Sequence, residues 1–304
     1  MSVVDVQACA GGPDQAPRVV QDESFLHALR PGLDALHEAV GTHVMARRTW
    51  LRACLDHDDR YTPLAVVVPG ADDRLEAAAI LAVRRRGLLS EIVALGHGRS
   101  DAAAFPARTP AAAAALADAI VAMLVSWSGP WKLTVRHIDR GDPVAARVAA
   151  VLRHGWLVPG GNSPCLVLRP GGDLGSYAGK HYVKNRRRRL TKLAALGAPV
   201  VERVTRDPEV IAADLPEIVE ICRQRDAAMG RAGLPATPSG ALLFRDAVLA
   251  HAHSGQMLLV TVRIADVLVG YALCFLDGRV ARVWNCRFDP AWSEYGSGRS
   301  AAPP

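Results

Sequence analysis

A chain of 304 residues, half of them apolar and 22% charged, has enough material for a full core in one large or two ordinary domains. That balance excludes a disordered, collagen-like or disulfide-stapled protein. The longest apolar run, residues 111–127, is alanine-rich, holds Asp118 and is short for a bilayer span. The net charge of +6 is local, because residues 180–192 carry seven basic side chains and no acid, which leaves the rest at −1.

Residues 1–18 are rich in Gly, Pro and Gln without periodicity and are expected to be disordered. Asp5 and the lack of a basic leader argue against a secretory signal. The six cysteines lie far apart with no CxxC pair, so no zinc site or disulfide framework is expected, and a reducing cytoplasm fits. Apolar residues at helical spacing predict helices over 24–40, with Pro31 dividing it, and over 43–55. Strands follow at 64–68, 75–83 and 92–95, the last emptying into the glycine-bearing loop Gly96, His97, Gly98. Pro110 opens a helix, 131–138 reads as a strand and 143–154 as a helix. This alternation is an α/β unit.

A Pro/Gly-rich stretch around 159–172, with a short strand at 165–168, marks the junction of two halves, 21–160 and 161–304. The second half opens with the basic helix, from a Ser176 cap to Leu196, with Gly197 as its stop. A strand at 199–204 leads to Asp207-Pro208, a helix start that Pro216 is expected to renew before the helix runs to 229. Ser239 is expected to cap a helix through His253. Three alternating runs then form an antiparallel meander, 257–264, 267–276 and 280–288. Its second joint, Asp277-Gly278, suits a type I′ turn with positive φ at both positions. After it, residues 289–299 form a loop with glycines at 296 and 298, the shape of a phosphate cradle.

Several stretches together resemble one family: Leu95-Gly-His-Gly-Arg-Ser-Asp101, Ser163-Pro-Cys-Leu-Val-Leu168, the Tyr177–Lys192 basic segment, Leu268-Val-Gly-Tyr-Ala-Leu273, Phe288-Asp-Pro290 and Tyr295-Gly-Ser-Gly-Arg299. From about Trp50 to Arg299 the chain resembles the GNAT-superfamily acyltransferases of the CelD/BcsL type, which are similar in build to the FemAB peptidyltransferases. The resemblance implies an α/β (α+β) protein of two GNAT-like halves, with acetyl-CoA or another acyl-CoA bound in the second. Val283, Asn285 and Cys286 would then hold the pantetheine arm, and Gly296, Ser297, Gly298 and Arg299 the pyrophosphate. The family's Tyr-Ser-Pro-Gly-Arg turn falls on 295–299 with two of five positions changed. Only Ser300-Ala-Ala-Pro-Pro304 follows, so the helix and strand that complete such a cleft are expected to be missing.

Acyl transfer needs an amine or hydroxyl freed of its proton, donors aimed at the developing oxyanion, and a proton for the departing thiolate. A backbone N–H between 283 and 286 suits the oxyanion, Asp289 the base and Tyr295 the acid; the plainer readings are a turn-forming aspartate and an ordinary loop tyrosine. Cys286 has no base beside it and reads as a plain hydrophobe. His251 and His253, two apart on a helix, face different ways and make no metal site. His97, Lys184, Arg187 and Arg188 are the candidate substrate contacts, for a small-molecule or glycan-precursor acceptor bearing negative charge. Few aromatics interleave the basic helix, so nucleic acid is disfavoured as a partner. Oligomeric state is open, a dimer included. The rival readings are a truncated, inactive fold that binds anions, and FemAB-like aminoacyl transfer from tRNA.

Overall fold

The structure, a computed structural model, describes residues 2–5, 16–21, 25–71, 74–152, 154–155, 158, 180–195, 197–278 and 280–295. It divides into two compact units, residues 1–160 and 161–304. The architecture is mixed α/β with two sheets, six-stranded in the first unit and four-stranded in the second.

In the first unit the strands lie in chain order: β1 (Ser2–Asp5), β2 (Arg18–Gln21), β3 (Thr62–Pro69), β4 (Leu75–Arg86), β5 (Leu89–Ala94) and β6 (Trp131–Thr134). The first of these and the start of the second fall where the sequence reading expected disorder. Arg18 to Val20 pair with Ala65 to Val67 of β3, and burial of Val19 and Val20 offsets the entropy of ordering this segment. All pairings are antiparallel except β5 with β6, which is parallel.

Helices α1 (Phe25–Ala28) and α2 (Arg30–Ala39) break at Leu29, with Pro31 in the first turn of α2, and α3 (Arg48–Asp56) follows a short 3-10 turn. The central strands β3 and β4 are buried along almost their whole length, as expected for strands covered on both faces. Leu64, Val66, Ala79, Leu81 and Ile92 pack with α4 (Pro110–Val125) and α5 (Pro143–Val151), through Leu116, Ile120, Leu124, Val144 and Val148. The two helices start where they do because Thr109 and Asp142 accept the amides of Ala112 and Ala145, each with proline next in line.

The second unit runs α6 (Lys180–Ala194), β7 (Val200–Thr205), α7 (Pro208–Ala228), α8 (Pro238–His253), then the meander β8 (Met257–Ile264), β9 (Val267–Asp277) and β10 (Val280–Phe288). Its sheet order is β10-β9-β8-β7, entirely antiparallel, so among the described residues β10 is an edge strand. Asp207 caps α7 as expected, but the helix passes through Pro216 without restarting. Ile211, Leu215, Ile218, Ile221 and Cys222 are buried on either side of the proline, and that packing carries the helix across one lost hydrogen bond. The cap of α8 is Thr237, which accepts the Gly240 amide, and Ser239 lies inside the first turn.

The meander's joints also differ in detail. Both Ala265 and Asp266 take positive φ, so the mirror-image turn sits at the first joint. At the second, Asp277 pairs with Val280 inside the ladder and Gly278 is the loop residue with positive φ. Arg203 and Arg263, from β7 and β8, both hold the buried Asp214 of α7, and Arg263 also reaches Glu217 at 2.8 Å. These pairs fasten α7 across the sheet.

Candidate active site

The site builds around β10. Val283 faces Cys274 and Asn285 faces Leu273, so Trp284 is an extra residue in the ladder, a β-bulge. Such a bulge bends the strand and takes its residue out of the regular pairing. Beneath it the Trp284 ring stacks on Phe244 of α8 at 5.0 Å and lies 5.1 Å from Phe275 of β9. His251 closes the cluster, its ring edge-on to Phe275 at 4.9 Å and its Nδ1 2.7 Å from the Ala247 carbonyl. It is a buried core histidine at the end of α8.

Immediately after the bulge, β10 is tied to its neighbours by polar groups. The Tyr271 hydroxyl of β9 donates to Asn285 Oδ1 at 2.6 Å, and Arg287 Nε donates to Asp226 Oδ1 of α7 at 2.8 Å. Cys222, one helical turn before Asp226, lies between them, 3.6 Å from Asp226 Oδ2 and 4.0 Å from Asn285 Nδ2. Burial pushes the Cys222 thiol up, and burial with the neighbouring Cys222 holds the Tyr271 phenol far above its ordinary value. Tyr271 therefore stays a neutral donor at any physiological pH. Burial lowers the Arg287 pKa, but the hydrogen bond and charge of Asp226 outweigh it and the guanidinium is raised.

The outer face of the strand is open. Val283 is 67% exposed and Cys286 is exposed too, so it is no core hydrophobe. At the strand's end the Asp289 amide returns to Val269 at 2.9 Å, while Asp289 Oδ1 accepts the Ala291 amide at 2.9 Å. That Asx turn starts a 3-10 helix, Pro290–Tyr295. Asp289 thus closes a turn, as the plainer reading of its sequence had it, and its second carboxylate oxygen has no partner among the described residues.

The backbones of α6 and α7 both pass beside the Pro290–Tyr295 turn. The structure so brings Lys184, Arg187 and Arg188, all exposed, onto a helix flanking the end of β10, and none is in an ion pair among the described residues. His97 is in the first unit, in the turn after β5. Gly296, Ser297, Gly298 and Arg299 lie outside the described residues, as do the Ser176 cap, the strand expected at 165–168 and the Tyr295 side chain. Sequence reasoning missed Trp284, Asp226, Tyr271 and Arg287. One signal was available, since Ile211, Leu215, Ile218, Cys222 and Asp226 form a single helical stripe that puts an acid on the buried face. Among the described residues, no group of three or more His, Cys, Asp or Glu side chains is placed to hold a metal ion, and no helix is long and apolar enough to cross a membrane.

Residues 180–301 match the acetyltransferase (GNAT) domain family. The match lies wholly within the second unit. FemX is similar in structure, with a TM-score of 0.52 and 11% identity over 87% of this chain and 81% of that one, and so shares the fold. The C-terminal domain of a putative lysylphosphatidylglycerol synthetase from Agrobacterium fabrum scores 0.44, at 11% identity over 86% and 70%. A tandem GNAT protein from the clavulanic acid biosynthesis pathway scores 0.34, at 14% identity over 90% and 80%. No curated protein is significantly similar in sequence. The matched segment holds the meander, the bulged strand β10 and helices α6, α7 and α8. Its fold class is the one the sequence implied, and acyl transfer is the chemistry that the domain carries in general.

Proposed function

We propose that this protein transfers an acyl group, acetyl in the simplest case, from acyl-CoA to an amine or hydroxyl of an anionic or sugar-type acceptor. The observation that supports it best is β10, an edge strand of the GNAT domain, bulged at Trp284 and open on its outer side. An amide-bearing pantetheine arm fits such an edge, because unpaired backbone N–H and C=O groups take an extended chain as an added strand. Bound there, acyl-CoA would supply an activated thioester carbonyl.

The chain's residues then have the following work. Backbone at Val283, Asn285 and Cys286 holds the arm, with the exposed Val283 offering apolar contact, and Gly296, Ser297, Gly298 and Arg299 take the pyrophosphate through amides and a guanidinium. An N–H at the bulge faces the carbonyl oxygen and stabilises charge developing there. The free oxygen of Asp289 accepts the acceptor's proton, and Tyr295, at the end of the same turn, returns one to the sulfur. Lys184, Arg187 and Arg188 on the flanking helix hold the acceptor's negative charge. A cytoplasmic location, where acyl-CoA is available, completes the reading.

A second reading, an anion-binding module without catalysis, is favoured by one feature: Asp289 already serves as the cap of its turn. Titration with acetyl-CoA separates the two. Cofactor at one hundred times its dissociation constant adds about 2.7 kcal/mol and raises the thermal midpoint clearly. No shift at millimolar acetyl-CoA would remove the transferase reading. A shift without thiol release from any amine or sugar acceptor would leave the binding module.

A further inference from the structure

We propose that the first unit holds a binding site of its own for a small phosphate-bearing molecule, at the carboxyl ends of β5 and β6 where the two strands part. It does not rest on the acyl-transfer reading, since none of its residues belongs to the GNAT domain match.

The topology creates the opening. Among the described residues β5 and β6 are the one parallel pair, joined by a crossover that includes α4, and ligands in such sheets bind beyond the carboxyl ends of parallel strands. Pairing runs from Ser90↔Trp131 to Val93↔Thr134 and stops. The Leu95 amide then turns to the Ile80 carbonyl of β4 at 3.1 Å, while the chain beyond β6 is taken up by Ala103, whose amide donates to the His137 carbonyl at 3.0 Å. The strands are drawn apart, and a depression opens between them. Its rim includes His97, Gly98, Ser100, Ala103, Arg136 and His137.

The charge of this depression has one sign. No carboxylate lines it, and Arg136 is exposed with no ion-pair partner among the described residues. Of the acids around it, Glu91 is paired with Arg84 at 2.6 Å and Arg86 at 3.3 Å and Asp58 with Arg60 at 2.6 Å and Arg99 at 3.3 Å, while Asp101, exposed between the lining residues Ser100 and Ala102, is in no ion pair among the described residues. His97 Nδ1 is buried without a hydrogen-bond partner, so a dianion at the rim acts on this ring through its charge. The turn is built for close approach. Gly96 and Gly98 take φ of +87° and +77°, nothing lies within 4 Å of where a Gly98 Cβ would stand, and the Gly98 amide has no hydrogen-bond partner among the described residues. Trp50 holds the turn in place through Nε1 to Ser100 Oγ at 2.6 Å. His137 keeps a left-handed φ of 58°, a strained conformation for a non-glycine residue that fixes its position at the rim. A guanidinium, two imidazoles and a bare amide around one gap match a tetrahedral dianion, whose charge and acceptors spread over several directions.

The histidine supplies a readout. Burial, then Arg136, keeps His97 below the ordinary histidine value; Arg84 and His137 act the same way and Glu91 opposes them. A bound dianion must raise it. In full-length protein at constant ionic strength, titration with inorganic phosphate should shift the His97 ring resonances along a saturating curve and raise the His97 titration midpoint by about one unit. Arg136→Ala should weaken phosphate roughly tenfold, and Arg136→Lys should recover part of that. Arg187→Ala with Arg188→Ala, in the basic helix of the second unit, should leave the His97 response unchanged. Running phenyl phosphate beside inorganic phosphate identifies the source: tighter binding of the ester points to a phosphorylated metabolite, and equal binding to free phosphate. The proposal fails if His97 does not respond, or responds equally in Arg136→Ala, since either result means bulk ionic strength alone.

Discussion

Asp226 and Arg287 meet across the interface of α7 and β10, carboxylate to guanidinium at 2.8 Å, with the aspartate side chain 6% and the arginine 29% exposed. The pair ties the strand that carries the bulge to the helix beneath it, and Asp226 lies so close over Gly233 that no Cβ would fit there. Arg287→Ala leaves a buried carboxylate unpaired. Roughly 3–5 kcal/mol is lost when fully buried pairs are broken, and water reaching the partly exposed arginine reduces this to about 2 kcal/mol. Asp226→Asn keeps the shape and an acceptor and should cost about half as much. Urea denaturation measures both, and an Arg287→Ala protein as stable as the parent would show that the pair holds nothing.

The buried Tyr271 hydroxyl donates to Oδ1 of Asn285, itself only partly buried. Tyr271→Phe should cost about 1–2 kcal/mol, the penalty of a buried acceptor left without a donor. If the bulge positions the backbone used in catalysis, the same substitution should lower kcat for acyl transfer more than it raises KM. Because the phenol's pKa is far above its ordinary value, the pH–rate profile should keep its shape in the variant. A lost ionisation in that profile would mean that Tyr271 titrates and that this account of the network is wrong.

What could be read from the sequence was what depends on neighbours along the chain. The meander followed from alternation, α4 from Pro110, α7 from the cap Asp207 followed by Pro208, and the break at Leu29 from Pro31. Where distant packing decides, local signals misled. Pro216 should have interrupted α7, but the buried stripe from Ile211 to Cys222 continues through it. The first strands looked disordered because an edge partner on β3, not their own composition, orders them. Val283 and Asn285 were legible as strand residues, whereas the extra residue between them depends on register with β9 and has no signature within β10 alone.

The described thiols should react in an order set by access. Burial pushes all four up, Cys54 furthest, to about 12, with Cys222 and Cys274 also held above the ordinary range. Cys286 is raised too, yet it alone of the four is exposed. Brief alkylation of native protein at pH 8 followed by peptide mapping should therefore mark Cys286 before Cys54, Cys222 or Cys274. Early labelling of Cys222 would show that the contact between α7 and β10 opens readily. Protection of Cys286 by acetyl-CoA would support a ligand lying along that edge.

His37, on α2, is buried with both ring nitrogens lacking a hydrogen bond, and burial lowers its pKa to about 4, with Asp34 opposing and Arg47 and Arg48 assisting. A base whose folded pKa lies below its unfolded value is neutral in the fold while the unfolded chain still takes up a proton. Its stability contribution is therefore complete above the unfolded value of 6.5 and is lost as pH falls from there toward 4. The loss should reach about 3 kcal/mol at the acid end of that window. His37→Leu removes the proton site at similar volume, so its stability should vary less between pH 7 and pH 4 than the parent's, by that amount. Parallel denaturation series on the two proteins decide it; curves that stay the same distance apart across the window would rule out His37 as the titrating group.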